Sequence, residues 1–175
     1  MSAAPTIWTI GHSTRSADEF IRLLETHGVE QIADVRSIPK SGRHPQFNKD
    51  VLDAFLAAHG RVYRHFPSLG GMRNPRPDSI NTAWRHRSFR GYADHMQTAE
   101  FRAGIASLLD FAVRPTAVMC AEAVWWRCHR QLLSDALTAR NVLVRHIIGT
   151  GEAKVHQLNE FAKISDGWIQ YPGLL

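Results

Sequence analysis

The sequence predicts one α/β domain of three layers, in which a mainly parallel sheet is covered by helices on both faces. Three observations favour this fold. Short apolar, β-branched runs alternate along the chain with segments of helical periodicity. The first elements form a β-α-β unit, and such units build parallel sheets with right-handed crossovers. The 175 residues contain no internal repeat, low-complexity segment or linker, and this length fits one domain with its own core.

The β-α-β unit begins with a strand at residues 7–10, which are β-branched and aromatic. A helix follows, because Ser16 and Glu19 match a capping box and the apolar residues after them have helical spacing. Gly28 is placed to end this helix, since glycine suits helix C-termini. The second strand of the unit is predicted at residues 31–36.

The alternation continues through the rest of the chain. Further strands are predicted at residues 61–66, 116–120 and 142–148, and further helices at residues 49–59, 100–112 and 128–140. Asn48 is predicted to cap the helix that begins after it. Residues 67–91 are predicted to form a long irregular loop, and loops of this length are usually functional or mobile. In the domain of residues 1–175, we expect a core at about residues 6–150 and a tail at residues 151–175 with a short amphipathic stretch.

The composition excludes several classes of protein. Apolar residues make up 44% of the chain and charged residues 21%, as in ordinary globular proteins. Two cysteines are too few for a disulfide scaffold, no apolar run approaches the roughly 18 residues that span a bilayer, and the N-terminal MSAAPT lacks the features of a signal peptide. We therefore expect a cytoplasmic protein without a membrane partner. The net charge of +5 favours an anionic small molecule or a nucleic acid as partner and leaves the oligomeric state open.

Polar side chains follow three of the predicted strands. His12-Ser13 follow the first strand, Asp34 and Arg36 end the second, and Cys120 with Glu122 end the strand at residues 116–120. Because ligands of parallel α/β sheets bind outside the carboxyl ends of the strands, we expect these side chains on one rim. Turns between strands and helices also favour Ser and Asp for structural reasons, so one such residue alone does not indicate a site.

The most informative segment contains both cysteines. Cys120 is at a predicted strand end and Cys128 is at a predicted helix start, where unpaired N–H groups stabilise a thiolate. Arg127, His129 and Arg130 add positive charge, so we expect a lowered pKa for the Cys128 thiol. The order of strand, cysteine, loop, arginine and helix is superficially similar to rhodaneses and cysteine phosphatases, but the interval from Cys120 to Arg127 is one residue longer than in the phosphatase loop.

Other roles for the cysteines stay open at this point. Each could be a small buried apolar residue, and a disulfide between them is conceivable. Metal binding with His129 and His12 would need a spacing that fits no zinc template, so we expect no metal site. The sequence leaves any cofactor open.

Asp34 and Arg36 are two positions apart, so on a strand they point to the same face. The pair could clamp a substrate, position a general base or form a structural ion pair. His12 could act as a general acid or base, since the ordinary histidine pKa is near 6.5. It could equally be a hydrogen-bonded turn residue.

The segment at residues 67–92 is rich in cations and aromatic rings. Its cations are Arg73, Arg76, Arg85, Arg87 and Arg90, and its rings include Trp84, Phe89 and Tyr92. This combination can hold phosphate and stack bases. Gly70 and Gly71 could let backbone N–H groups approach an anion. The alternative is a solvated basic loop.

Several separated motifs together carry a family likeness. They are residues 9–13, residues 34–36 with Pro39 and Ser41, residues 69–71, residues 120–122 and residues 128–130. In this order they resemble uncharacterised bacterial proteins of domain-of-unknown-function family 488, over about residues 6–150. The pair Trp125-Trp126 is less typical of that family. The resemblance implies an α/β domain with a polar catalytic or ligand pocket, and it implies no particular reaction.

The leading hypothesis is an enzyme that acts on a phosphate-bearing substrate, a nucleotide or nucleic acid, in a pocket at the carboxyl ends of the strands. The candidate catalytic residues are His12, Asp34, Cys120, Glu122, Cys128 and His129. The candidate substrate-binding residues are Ser13, Arg36, Ser41, Gly70, Gly71, Arg73, Tyr92 and Arg130. The alternatives are a non-catalytic nucleic-acid-binding module that uses residues 67–92, and thiol-based sulfur transfer.

Overall fold

The computed structural model describes residues 4–174. Within that span one sheet contains β1 (Thr6–Gly11), β2 (Gln31–Asp34), β3 (Val62–His65), β4 (Thr116–Cys120), β5 (Leu143–Ile147) and β6 (Lys154–Val155). The strand order is β3-β2-β4-β1-β5-β6, in which β1 to β5 run parallel and β6 is antiparallel. The prediction of a mainly parallel sheet is confirmed.

Helices cover both faces of this sheet. One face carries α1 (Ala17–Thr26) and α2 (Lys49–Ala58), and the other carries α3 (Arg87–His95), α4 (Ala99–Phe111) and α5 (Arg130–Thr138). Neighbouring strand residues alternate between the two cores: Ile32 packs with α1 and α2, and Ala33 packs with the helices of the opposite face. The three-layer architecture is confirmed.

The predicted N-terminal cap of α1 is present in the structure, whereas that of α2 is not. The capping box of α1 is formed, since the Glu19 N–H donates to the Ser16 hydroxyl at 3.1 Å and the Ser16 N–H donates to the Glu19 carboxylate at 2.9 Å. Asn48 precedes α2 as predicted, but its side chain does not cap the helix. Its Oδ1 accepts a hydrogen bond from the Ser41 N–H at 2.6 Å, which ties the loop after β2 to the helix start.

The prediction that residues 67–91 are irregular throughout is wrong, because α3 begins at Arg87. The segment contains few apolar residues and an internal glycine, so its local helical signal is weak. Tertiary packing forms this helix. Gly91 lies against the backbone of Arg73, where an added Cβ would come within 2.3 Å of the carbonyl oxygen, and Tyr92 and Ala93 are fully buried.

The C-terminal tail is integrated into the domain. It supplies β6 to the sheet and a hairpin of β7 (Lys163–Ser165) and β8 (Trp168–Gln170). The hairpin turns at Asp166 and Gly167, whose φ angles are 52° and 77°, and an Asp-Gly pair is typical of such turns. Tyr171, just beyond β8, is buried in the same core as α3 to α5.

The connections that follow two adjacent strands lead to opposite faces of the sheet. From β1 the chain passes to α1, whereas from β4 it passes to α5 on the other face. The two strands are neighbours, with Gly11 opposite Cys120. In open α/β sheets a crevice forms at the carboxyl ends of strands where the connections diverge in this way. The topology therefore places the loops after β1 and β4 at a natural ligand site.

Within residues 4–174, no helix combines the length and the apolar character that crossing a bilayer requires. The prediction that the N-terminal segment lacks the features of a signal peptide concerns residues of which 1–3 lie outside the described part of the chain.

We predict that Gly11→Ala destabilises the protein by about 2 kcal/mol or more, because overpacking at this junction forces the backbone to move. An added Cβ would lie 1.6 Å from the carbonyl oxygen of Glu122, where the loops after β1 and β4 touch. Urea unfolding measures the loss. The control is Gly151→Ala, which has open space around the added Cβ and should change stability by less than about 0.5 kcal/mol. Equal effects of the two substitutions would contradict the close approach at Gly11.

Candidate active site

A crevice of about 640 Å³ opens at the carboxyl ends of the parallel strands. The loops after β1, β2, β3 and β4 line it, together with the start of α3. The residues that the sequence analysis singled out and that the structure brings to this crevice are His12, Ser13, Arg36, Ser41, Gly71, Cys120, Glu122, Cys128 and His129. Polar groups from three separate strand ends thus meet at one place.

The two cysteines meet on the crevice wall. Cys120 ends β4, and a short 3-10 turn at Trp125–Arg127 folds the following loop back so that Cys128 lies just before α5. The two sulfur atoms are 2.9 Å apart, and both cysteines are free. Their exposed fractions are only 3% and 6%, although both residues line the crevice. The pair is therefore shielded from bulk water and reachable from one side.

Arg130, the first residue of α5, is a buried cation beside this pair and is 1% exposed. Its backbone N–H and its Nε donate to the Cys128 sulfur at 3.3 and 3.2 Å. Its Nη2 donates to the carbonyl oxygen of Glu122 at 2.6 Å, and its Nη1 donates to the Thr9 hydroxyl oxygen at 3.4 Å. Because Arg130 does not line the crevice, its charge acts on Cys128 and not on a ligand.

The two thiols differ in their affinity for protons. Burial opposes ionisation of Cys128, but interactions with Cys120 and His129 and the charge of Arg130 outweigh it and lower the pKa of the Cys128 thiol. Burial, and then the neighbouring Cys128, raise the pKa of the Cys120 thiol. Cys128 is therefore the thiol of the pair that ionises at the lower pH, and the Cys120 thiol can then donate to its sulfur. A thiolate is the nucleophilic form of cysteine.

Asp34 and Arg36 form a buried ion pair beneath the crevice. Arg36 Nε and Nη2 donate to the Asp34 carboxylate, with a shortest distance of 2.6 Å, and Nη2 also donates to the Phe47 carbonyl oxygen at 2.8 Å. Tyr63, which the sequence analysis did not identify, donates its hydroxyl to the same carboxylate at 2.5 Å. These contacts favour the structural role of the pair. They leave Arg36 with one N–H, on Nη1, for a ligand.

His12 is held as a neutral ring by its contacts. The ring stacks on Phe47 with the centroids 4.4 Å apart, Nδ1 donates to the Ser13 carbonyl oxygen at 2.9 Å, and Nε2 accepts from Arg36 Nη1 at 3.3 Å. Burial, followed by the charge of Arg36, lowers the pKa of His12 to about 4. Since Nε2 already accepts a hydrogen bond and the ring is neutral at pH 7, these contacts do not favour proton transfer by His12.

The other predicted residues of the crevice have varied surroundings. Ser13 has a φ of 51°, and its N–H donates to the Ala121 carbonyl oxygen at 2.9 Å, so the turn after β1 is held in a left-handed conformation against the loop after β4. The Ser41 hydroxyl accepts a hydrogen bond from the His44 N–H at 3.0 Å. Glu122 is exposed. These residues shape the wall and the mouth of the crevice.

His129 and Gly71 are in contact across the crevice wall. His129 Nε2 donates to the Val35 carbonyl oxygen at 2.9 Å. An added Cβ at Gly71 would lie 2.4 Å from His129 Nδ1, so only glycine fits beside this ring. Within residues 4–174, no group of three or more His, Cys, Asp or Glu side chains could hold a metal ion.

Besides Arg130, three predicted substrate-binding residues do not reach the crevice. Gly70 packs against Ser37, where an added Cβ would lie 2.5 Å from the hydroxyl oxygen. Arg73 donates from Nε to the Gly70 carbonyl oxygen at 3.2 Å. Tyr92 is fully buried, and its hydroxyl donates to the Leu69 carbonyl oxygen at 2.9 Å. The structure places these residues in the packing of the loop after β3.

Several cations and aromatic rings of residues 67–92 contact other parts of the protein, whereas Arg85 and Arg87 are exposed. Trp84 and Phe89 are partly buried and pack edge to face with their centroids 5.3 Å apart. Arg76 pairs with Asp78 at 2.8 Å, and Arg90 donates to the Trp84 carbonyl oxygen at 2.9 Å. Trp84 and Tyr92 are therefore engaged in protein packing, whereas Phe89 also lines the crevice.

Basic side chains surround the mouth of the crevice. Lys40 and Arg127 are exposed there, and His44 and His86 also line it. Glu122 is the one acidic residue among the lining residues of the described chain. Basic side chains therefore outnumber acidic ones around the crevice.

The sequence analysis also missed a polar chain behind Arg130. Beyond the Thr9 hydroxyl, His146, His156 and Asp135 follow one another at distances of 2.7, 2.9 and 2.7 Å. All four residues are buried. Thr9 and His146 are 137 positions apart and meet because β1 and β5 pair in register. No local pattern in the sequence indicates this contact.

Comparison with known proteins identifies a family and no individual relative. The family model described as "Domain of unknown function DUF488" matches residues 16–137, a span that contains both cysteines and Arg130 and begins after the loop that carries His12. The family resemblance predicted from the separated motifs is confirmed. No curated protein and no solved structure matches the chain.

We predict that His12 makes stability fall as the pH drops from about 6.5 towards 4. Its folded pKa of about 4 lies below the ordinary value of 6.5, so between these values the unfolded chain binds more protons. The stabilisation that depends on the neutral His12 ring is complete above pH 6.5 and is lost between pH 6.5 and about 4. Urea unfolding at about pH 7.5 and about pH 5 measures it.

The variant His12→Gln should show a smaller loss of stability between the two pH values than the unaltered protein. Substitution of the exposed His59 by Gln is the matched control and should leave the loss unchanged. An unchanged pH dependence in His12→Gln would contradict the neutral, buried ring.

Proposed function

The chain belongs to the DUF488 family, and we propose that it is a thiol-dependent enzyme in which Cys128 is the nucleophile and Cys120 is the resolving thiol. The observation that carries this proposal is the geometry of the pair: the sulfurs are 2.9 Å apart, and two N–H groups of the buried Arg130 point at one of them. A buried cation directed at one sulfur makes the two thiols unequal. That inequality is what a nucleophile and its resolving partner require.

The reaction that fits two unequal thiols is exchange with a disulfide. The Cys128 thiolate attacks one sulfur of the substrate, a Cys128–substrate disulfide forms, and the other half of the substrate leaves as a thiolate. Cys120 then gives up its proton to the departing thiolate and attacks the Cys128 sulfur. The Cys120–Cys128 disulfide forms and the second half of the substrate leaves. The substrate disulfide gains two electrons, the protein dithiol loses them, and a second dithiol compound must reduce the protein for the next cycle.

The size and charge of the crevice favour a small anionic molecule as the substrate of the proposed enzyme. Its volume of about 640 Å³ is in the usual range for sites that bind small ligands. Lys40 and Arg127 at the mouth favour negative charge, and Ile38, Met72 and Phe89 supply apolar wall. A small organic disulfide with carboxylate groups combines these properties.

A phosphate-bearing substrate, the class predicted from the sequence, is the second candidate, and the basic mouth supports it equally. The Cys128 thiolate would then attack phosphorus, form a thiophosphate and expel the leaving group, and water would cleave the sulfur–phosphorus bond. This route has no step for Cys120. It also has less support from the predicted anion-binding arginines, since Arg130 faces Cys128 and Arg36 is largely engaged by Asp34.

We predict that an anionic aryl disulfide, dithiobis-nitrobenzoate, distinguishes the roles of the two cysteines. The unaltered protein should release both aryl thiolates and retain no adduct, because Cys120 resolves the intermediate. Cys120→Ser should release one thiolate and keep an aryl adduct on Cys128. Cys128→Ser should react at least about ten-fold more slowly, because the remaining thiol is protonated. Absorbance of the released thiolate and intact-protein mass measure these outcomes.

The bis(2-aminoethyl)amide of the same aryl disulfide is the matched control for charge, because it is cationic and keeps the nitrothiophenol leaving group, and it should react more slowly with the unaltered protein. An adduct on Cys120, or full reactivity in Cys128→Ser, would contradict the assignment of the nucleophile. Hydrolysis of an aryl phosphate that persists in Cys120→Ser and is lost in Cys128→Ser would favour the second candidate.

A further inference from the structure

A buried hydrogen-bond chain extends from Arg130 away from the crevice. It consists of Thr9, His146, His156 and Asp135, and it ends on the carboxylate 2.7 Å from His156. None of these residues lines the crevice. The thiol mechanism described above gives them no role, although each is at most 6% exposed. Buried polar groups of this kind are costly unless they are fully satisfied.

One pattern of donation satisfies every contact of the chain with both imidazole rings neutral. The Asp135 carboxylate accepts, so His156 Nε2 carries a hydrogen and His156 Nδ1 accepts from His146 Nε2. His146 Nδ1 then accepts from the Thr9 hydroxyl, whose oxygen accepts from Arg130 Nη1. Every donor points from the guanidinium towards the carboxylate. In this pattern the buried hydrogen-bond chain connects the Arg130 cation to the Asp135 carboxylate.

Further contacts hold both ends of this arrangement. Asp135 also accepts from the Tyr171 hydroxyl at 2.7 Å and from the Asn159 N–H at 3.1 Å. The Trp125 ring stacks on His146 with centroids 4.2 Å apart and an angle of 7°. Burial, and then His156 and Arg130, lower the pKa of His146 to about 3, so this ring is neutral at pH 7.

We propose that the buried hydrogen-bond chain positions Arg130, so that its Nε stays directed at the Cys128 sulfur. This inference rests on the proposed function and deepens it, because it assigns Thr9 and His146 as positioning residues for the nucleophile. The Thr9 oxygen on one side and the Glu122 carbonyl oxygen on the other fix the plane of the guanidinium so that Nε faces the Cys128 sulfur.

The groups that act on Cys128 come from several elements. Cys120 faces it from β4, Arg130 from α5, His129 from the turn before α5, and Tyr92 from α3. Among the described residues, Arg130 is the one permanent cation that hydrogen-bonds to the sulfur. If Arg130 loses this orientation, the pKa of the Cys128 thiol should therefore change more than it would after a change in any uncharged neighbour.

The test is the alkylation rate of Cys128 by iodoacetamide against pH, with the two cysteines separated by mass spectrometry. Thr9→Val keeps the shape of the side chain and the charge of the protein but removes the hydroxyl. We expect the pH of half-maximal reactivity to rise by about one unit, because a thiolate that loses part of the stabilisation by a nearby cation has a higher pKa. Thr9→Ser restores the hydroxyl and should restore the original profile.

A second variant keeps the proposal testable if Thr9→Val does not fold. Tyr171→Phe removes one donor to Asp135 at the far end of the chain and should shift the profile in the same direction by a smaller amount. His95→Gln is the matched control, since His95 is a buried histidine bonded to the Ser68 carbonyl oxygen and is outside the chain. It should lower stability without moving the Cys128 profile.

An unchanged profile in folded Thr9→Val and Tyr171→Phe, with an upward shift in Arg130→Lys, would overturn the positioning role and leave the proposed function intact. Ordinary reactivity of Cys128 in the unaltered protein would instead overturn the proposed function. A shift in His95→Gln equal to that in Thr9→Val would show a general effect of destabilisation and would also overturn the positioning role.

Discussion

The charge of Arg130 is the constraint on which the site depends. An arginine that is 1% exposed cannot lose its proton, so the protein must supply negative charge and acceptors around it. Cys128 supplies a sulfur acceptor at 3.2 Å from Nε, and Asp135 supplies a carboxylate through the buried hydrogen-bond chain. The thiolate and the cation therefore stabilise each other. One buried arginine explains both the reactivity assigned to Cys128 and the polar groups buried far from the crevice.

The fold brings these groups together because β1 and β4 lie side by side and lead to opposite faces. β1 contributes Thr9 to the buried side and His12 to the crevice, and β4 contributes Cys120. β5 then places His146 beside Thr9, and the segment after β6 adds His156. The C-terminal tail is therefore part of the support of the site, since Tyr171 closes the far end of the chain on Asp135.

The sequence predicted the parts of this arrangement that have local causes. Alternating strands and helices, the capping box at Ser16 and the strand-end position of Cys120 follow from periodicity and turn chemistry, and the structure contains them. The sequence did not predict α3, whose helix forms through the packing of Gly91, or the partners of Arg130. Thr9 and His146 have no neighbours in sequence that mark them, and their contact follows from strand pairing alone. Long-range register is a property of the whole sheet, which no short pattern records.

The most direct test of this account is the far-ultraviolet thiolate absorbance of the protein as a function of pH. The account predicts one thiolate that titrates well below the ordinary thiol pKa of about 8.5. That step should be absent in Cys128→Ser and should persist, displaced upward, in Cys120→Ala, where the hydrogen bond from the neighbouring thiol is lost. Titration of both thiols at or above the ordinary value would contradict a Cys128 thiolate held by Arg130.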